Sequence, residues 1–155
     1  MEDALVVIDM QKDLLTDKKP SDLEIKIAVI TDIINDFRAD GKPVFFVELQ
    51  TKYAQYGHTL PELKAGMDEI FEKNCSDAFS NGRFCERVRP YRTLHIVGCN
   101  AEICVRLTVD SAYKNGHNVV LYKNAILSRG SSEKVIHATT LRYLFNWHVS
   151  VRNYK

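Results

Sequence analysis

Three side chains in this 155-residue chain have the types and placement to work as a thiol nucleophile, a base and a charge that tunes them. Cys104 comes a short loop after the apolar run 94–98 and stands at the start of a helical pattern. A thiol there feels the positive end of the helix dipole and free backbone N–H groups, which lower its pKa and favour the thiolate. Asp9 directly follows Leu5-Val6-Val7-Ile8, and Lys73 directly follows Glu69-Ile70-Phe71-Glu72. A carboxylate within reach takes the thiol proton and later hands it to a leaving group, while an ammonium beside it keeps the carboxylate ionised. Taken singly, each has a plainer role: Cys104 as packing, Asp9 as the cap of a turn, Lys73 as a solvated side chain.

The elements that must carry these residues are legible from periodicity. Runs rich in β-branched and aromatic residues recur at 4–8, 44–49, 94–97, 119–122 and 149–151 and read as buried strands. Between the first two, Ile27, Ile30, Ile34 and Phe37 repeat at helical spacing, which predicts a helix over 23–37 after Pro20-Ser21-Asp22 and before Gly41-Lys42-Pro43. Two more helices fit 101–115, with Asn100 as N-cap, and 132–145. The stretch 53–92 offers a short helix at 60–64, a short strand at 69–72 and a helical turn at 84–88. Strands that are apolar throughout, alternating with helices, imply a parallel sheet covered on both faces, a doubly wound α/β fold. Ligands in such sheets bind beyond the carboxyl ends of the strands, so Asp9, Lys73 and Cys104 face one crevice. With no repeat, low-complexity tract or linker, residues 1–155 read as one domain.

Composition narrows the partners. Hydrophobic residues make up 45% and charged residues 26%, and 21 Lys+Arg against 20 Asp+Glu leaves +1, no electrostatic case for nucleic acid or an anionic membrane. No apolar run approaches the roughly 20 residues of a membrane span. A strand-like run that starts at Ala4 leaves no room for a secretory signal, so a cytoplasmic protein with reduced cysteines is expected. Cys75, Cys85, Cys99 and Cys104 form no CxxC pair, and the five histidines are scattered. None of the seven glycines forms GxG, and P-loop, GxSxG and HExxH patterns are absent, so no cofactor is expected.

Three segments together resemble the isochorismatase-like cysteine hydrolases, the nicotinamidase-related amidohydrolases. They are Ala4-Leu-Val-Val-Ile-Asp9-Met-Gln-Lys-Asp13, Lys73-Asn-Cys-Ser-Asp-Ala-Phe79, and Ile96-Val-Gly-Cys-Asn-Ala-Glu-Ile-Cys104-Val-Arg-Leu-Thr108-Val-Asp-Ser-Ala112. The resemblance implies that Asp9, Lys73 and Cys104 form a catalytic triad on a six-stranded parallel sheet of order 3-2-1-4-5-6. It also implies a cis peptide between Cys99 and Asn100, with the N–H groups of Asn100 and Cys104 as an oxyanion hole, and assembly into homo-oligomers, dimers or larger. The apolar segment 143–147 suits such an assembly. Phe79, Tyr53, Tyr56 and Arg129 are candidate walls of the substrate pocket.

Two departures shape the expected activity. Nicotinamidases hold a metal through an Asp and two His near the end of the second strand, where this chain reads Val47-Glu48-Leu49-Gln50-Thr51 with only His58 beyond. The branch that hydrolyses the isochorismate vinyl ether commonly lacks the cysteine, which is kept here. The sequence therefore points to a metal-independent cysteine hydrolase cleaving the C–N bond of a small amide. The alternatives are a vinyl-ether hydrolase using Asp9 as acid, and a non-catalytic oligomeric interaction protein. Asn124-Ala125 stands where many relatives have Asp-Ala.

Overall fold

The computed structural model describes residues 2–64 and 68–155. Its elements run β1 (Asp3–Ile8), α1 (Pro20–Ala39), β2 (Val44–Leu49), β3 (Glu69–Lys73), α2 (Gly82–Val88), β4 (Thr93–Cys99), α3 (Arg106–Lys114), β5 (Asn118–Leu127), α4 (Glu133–Leu141) and β6 (Val149–Arg152). Every strand pairing is parallel, and the sheet order is β3-β2-β1-β4-β5-β6. The predicted order 3-2-1-4-5-6 is the observed one.

Alternate residues of each strand feed two cores. Leu5, Val7, Val44 and Phe46 meet Ile30, Ile33, Ile34 and Phe37 of α1 on one face. Ala4, Val6, Ile8, Phe45 and Val47 meet Phe84 and Val88 of α2, Val109 and Ala112 of α3 and Ile136 of α4 on the other. A strand buried on both sides needs apolar residues along its length, which is why residues 4–8 of β1 and 44–47 of β2 read as unbroken runs. Among the described residues, no helix is long and apolar enough to cross a membrane.

Several boundaries differ from those periodicity predicts. Helix α1 begins three residues earlier, at Pro20, whose fixed φ and missing N–H suit the first helical position. Helix α4 stops at Leu141 rather than continuing to 145, leaving Leu144, Phe145 and Trp147 exposed. Its cap is Ser132, which accepts the Val135 N–H at 3.3 Å. Strand β5 runs on to Leu127, and within it Asn124 donates Nδ2 to the Tyr154 carbonyl at 3.0 Å and accepts the Tyr154 N–H through Oδ1 at 2.8 Å. An aspartate could not supply that donor, so the tie to the C-terminal tail accounts for an amide at this position.

The predicted helix over 101–115 is not uniform. Residues Ala101–Val105 form a π-helical turn that leads into α3, and Asn100 O accepts N–H groups from both Ile103 (3.0 Å) and Val105 (3.2 Å), on either side of Cys104. Asn100 has the extended backbone of an N-cap, but its side chain makes no capping bond. Such widened turns recur where a helix is reshaped around a site.

Candidate active site

Strands β1 and β4 lie side by side at the point where the strand order reverses, so chain leaving their carboxyl ends opens a crevice. Asp9 is the first residue beyond β1. Its φ of +53° is left-handed, which Asp tolerates better than most residues, and its N–H donates to Val47 O at 2.9 Å. Lys73 is the last residue of β3, not the first after it as the sequence suggested. Its Nζ donates to Asp9 Oδ2 at 2.9 Å and to the Cys75 carbonyl at 3.1 Å. Both side chains of this ion pair are essentially inaccessible, 0% for Lys73 and 1% for Asp9. Asp9 Oδ1 is buried and, among the described residues, has no partner within ordinary hydrogen-bond geometry. Cys104, from the π-helical turn, lies close enough to Asp9 for each to shift the other's protonation.

The Lys73 loop is braced on α3. Ser111 Oγ donates to Asp77 Oδ2, and the Ala78 N–H donates to Thr108 Oγ1 at 3.1 Å. Asp77 also accepts the Phe79 N–H at 2.9 Å. The Thr and Ser of the third sequence segment thus hold the segment that carries Lys73. The Cys99–Asn100 peptide is cis.

Protonation departs from what the sequence suggested for Cys104. Burial, and then the charge of Asp9, push its thiol up to about 11, with Lys73 and a hydrogen bond involving Ser76 opposing them. The expected depression by a helix N-terminus is therefore overturned: the residue is buried, it faces an anion, and the turn carrying it is wider than an α-helix. Asp9 is raised by burial, with Lys73 pulling it down by charge and hydrogen bonding. Cys104 therefore keeps its proton near neutral pH, and that proton must move when attack begins. Buried Cys99 is also pushed up, chiefly by desolvation, and donates Sγ to the Asp9 carbonyl at 3.1 Å.

A cavity of about 320 Å³ opens over the cluster, and Asp9, Asn100 and Cys104 line it together with Tyr56, Ser76 and Arg129. Two of the four predicted wall residues, Tyr56 and Arg129, are therefore brought to the site. Tyr53 is not: it is 87% exposed and lies under the Lys52 ammonium at 5.0 Å. Phe79 is not either, because its ring packs edge-on against Phe84 at 5.2 Å and joins the core beside α2. Sequence reading missed Asp13, Thr16 and Asp17, which line the same cavity from the loop after β1. It also missed Gln11, fully buried, whose Nε2 donates to Leu49 O (3.0 Å) and Gly57 O (2.9 Å) while Oε1 accepts the Leu49 N–H at 2.7 Å. Gln11 follows Asp9 by two residues in a polar stretch, and only its burial singles it out.

The residues at the end of β2 and in the loop after it do not fit a metal site of the nicotinamidase kind. Glu48 Oε2 accepts both the N–H and the hydroxyl of Thr59 at 2.7 Å, and Oε1 lies 3.1 Å from His58 Nδ1. Burial alone would raise this carboxyl, but the Thr59 bonds and His58 bring it below its ordinary value. Gln50 spends its amide on Gly57 O (2.7 Å) and the Tyr56 N–H (3.0 Å). These groups serve the 50–59 loop, and among the described residues no three His, Cys, Asp or Glu side chains converge on a metal-sized point.

Comparison with known proteins agrees with this architecture. The isochorismatase domain model matches residues 3–153. No curated protein matches the sequence. Among solved structures, an isochorismatase from Pseudomonas putida superposes with a TM-score of 0.84 at 20% identity, over 98% of this chain and 88% of that one. The MAR1 ribonuclease from Caenorhabditis elegans gives 0.83 at 23% identity, over 97% and 77%. A nicotinamidase/pyrazinamidase from Bacillus subtilis gives 0.80 at 20% identity, over 99% and 100%.

Proposed function

This chain belongs to the isochorismatase family, and from that premise we propose that it is a metal-independent hydrolase using Cys104 to cleave the C–N bond of a small amide. The observation that carries the proposal is the buried Lys73–Asp9 pair, one carboxylate oxygen held by the ammonium, with Asp9 and Cys104 lining the same cavity. Burying two charges costs several kcal/mol per ion unless geometry and further bonds compensate, so a pair in a ligand-sized crevice suits catalysis better than packing.

Asp9 removes the thiol proton as Sγ attacks the carbonyl carbon. The backbone N–H groups of Asn100 and Cys104 receive the charge that develops on the carbonyl oxygen, typically the largest single contribution to such catalysis. The C–N bond breaks as Asp9 returns the proton to the leaving amine. Water, deprotonated by the same carboxylate, hydrolyses the thioester, and Lys73 orients Asp9 and favours its ionised form throughout.

One observation favours a second reading. A carboxyl raised by burial is suited to donate a proton, so Asp9 as general acid toward a vinyl ether keeps a physical basis. Wild type and Cys104→Ala assayed on small amides and on a vinyl ether separate the two. Amide hydrolysis lost in Cys104→Ala supports the thioester route. Vinyl-ether hydrolysis that survives the substitution overturns it, and no turnover by either protein favours a non-catalytic role in an assembly.

A further inference from the structure

Resting on the reading of Cys104 as nucleophile, we propose that Lys18 is a positioning residue that holds Asn100 so that its N–H meets the oxyanion formed during attack. In the sequence Lys18 is one of a short charged run, Asp17-Lys18-Lys19, that passes for solvated surface. In the fold its side chain is 0% exposed, and Nζ donates to Asp17 Oδ1 at 2.9 Å and to Asn100 Oδ1, 82 residues away. An ammonium is placed in such surroundings only at a desolvation cost that its partners must offset. Its reach is to the first residue beyond β4, at the turn that carries Cys104.

Two further observations point the same way. Asn is among the best N-cap residues, yet the Asn100 side chain makes no capping bond and is committed to Lys18 instead. The counter-ion of Lys18 is itself braced, since Asp17 Oδ2 accepts the Gly130 N–H at 2.9 Å and the Lys19 N–H donates to Ser131 Oγ at 3.0 Å. Lys18 is thus a strut between the chain leaving β1, the chain leaving β5 and Asn100. Oxyanion donors act by being held in place before charge develops, so loosening the residue that bears one weakens carbonyl attack without touching the sulfur.

Two reactions at the same thiol isolate that role. With iodoacetamide, Sγ displaces iodide at a tetrahedral carbon, a C–S bond replaces the C–I bond, the thiol proton is lost, and no oxyanion forms. With p-nitrophenyl acetate, Sγ bonds to the carbonyl carbon and the π pair moves onto oxygen, then returns to expel p-nitrophenolate, while the thiol proton passes to Asp9. Alkylation is read by peptide mapping at Cys104, and acylation by the p-nitrophenolate burst after subtracting that of Cys104→Ala. Loss of a whole oxyanion donor slows reactions by roughly 100- to 1000-fold, so Lys18→Met, which only loosens one, should slow acylation by about tenfold or more. Alkylation should stay near the wild-type rate, and Lys18→Arg should recover much of the acylation. Equal loss of both reactions, or no loss of acylation, overturns the role of Lys18. A wild-type protein with no burst dependent on Cys104 overturns the nucleophile reading and takes this inference with it.

Discussion

Replacing Gly98 by alanine tests the packing that sets Asp9 in place. Gly98 pairs with Ile8 across the β1–β4 seam, and its φ is +121°. A Cβ built there falls 2.1 Å from Ile8 O, 2.7 Å from Ile8 N and 2.8 Å from Ile8 C, all backbone atoms that cannot swing aside. Relief requires the strands to part by about 1 Å, an over-packing cost of about 1–3 kcal/mol. The backbone conformation adds about 1–2 kcal/mol, giving a total of about 2–5 kcal/mol from these two terms. At about 2–4 °C per kcal/mol for a chain of this size, the melting temperature should fall by about 4–20 °C. Gly116→Ala is the control: its φ is +92°, but nothing lies within 4 Å of the added carbon, so it bears the conformational cost alone. Because Ile8 leads directly into Asp9, the parted strands also displace the carboxylate, and a shift of about 1 Å is enough to lower turnover by about 100-fold. Thermal melts followed by circular dichroism, with the p-nitrophenolate burst measured on the same proteins, check both effects. A Gly98→Ala protein that melts with Gly116→Ala and keeps its burst would refute the reasoning.

Four other outcomes are expected. Near neutral pH, iodoacetamide should label exposed Cys75 before Cys104, whose thiol is pushed up to about 11, and Cys104 labelling should climb as the solution is made alkaline; preferential neutral labelling of Cys104 would contradict the protonation described. Asp9 works as a base only when ionised and is raised above the ordinary 3.8 by burial against the pull of Lys73, so the acid limb of kcat/KM should lie above that value. Lys73→Met should carry the limb higher still, by roughly 1–3 pH units, and a limb that moves down would refute the charge assignment. Hydrolysis should survive dialysis against a strong chelator, because Glu48 and Gln50 are committed to the 50–59 loop; a chelator-sensitive activity restored by zinc, iron or manganese would count against it. Exposed Leu144, Phe145 and Trp147 should support self-association, so light scattering at micromolar concentration should give a mass above 17.8 kDa, and a monomer there would refute the claim.

What the sequence determined by itself is the scaffold and the placing of Asp9, Lys73 and Cys104 near one another at the carboxyl ends of the strands. Strands buried on both faces are largely apolar, so β1, β2 and β4 announce themselves, and the polar residues that follow β1, end β3 and come after β4 stand out against them. Asp9, Lys73 and Cys104 were legible for that reason. Their protonation was not: helix position alone suggested a depressed thiol, and only the fold shows that Cys104 is buried against Asp9, which raises it. The walls were divided for a similar reason. Tyr53, Tyr56 and Phe79 are indistinguishable as aromatic residues in a polar stretch, and loop closure by Gln11 and Gln50 decides that Tyr56 faces the cavity while Tyr53 faces solvent. Lys18 and Gln11 carried no signal at all. Burial turns an ordinary lysine and glutamine into fixed struts, because a polar group removed from water must find its partners in the protein, and which partners are within reach is set by contacts across 38 to 82 residues.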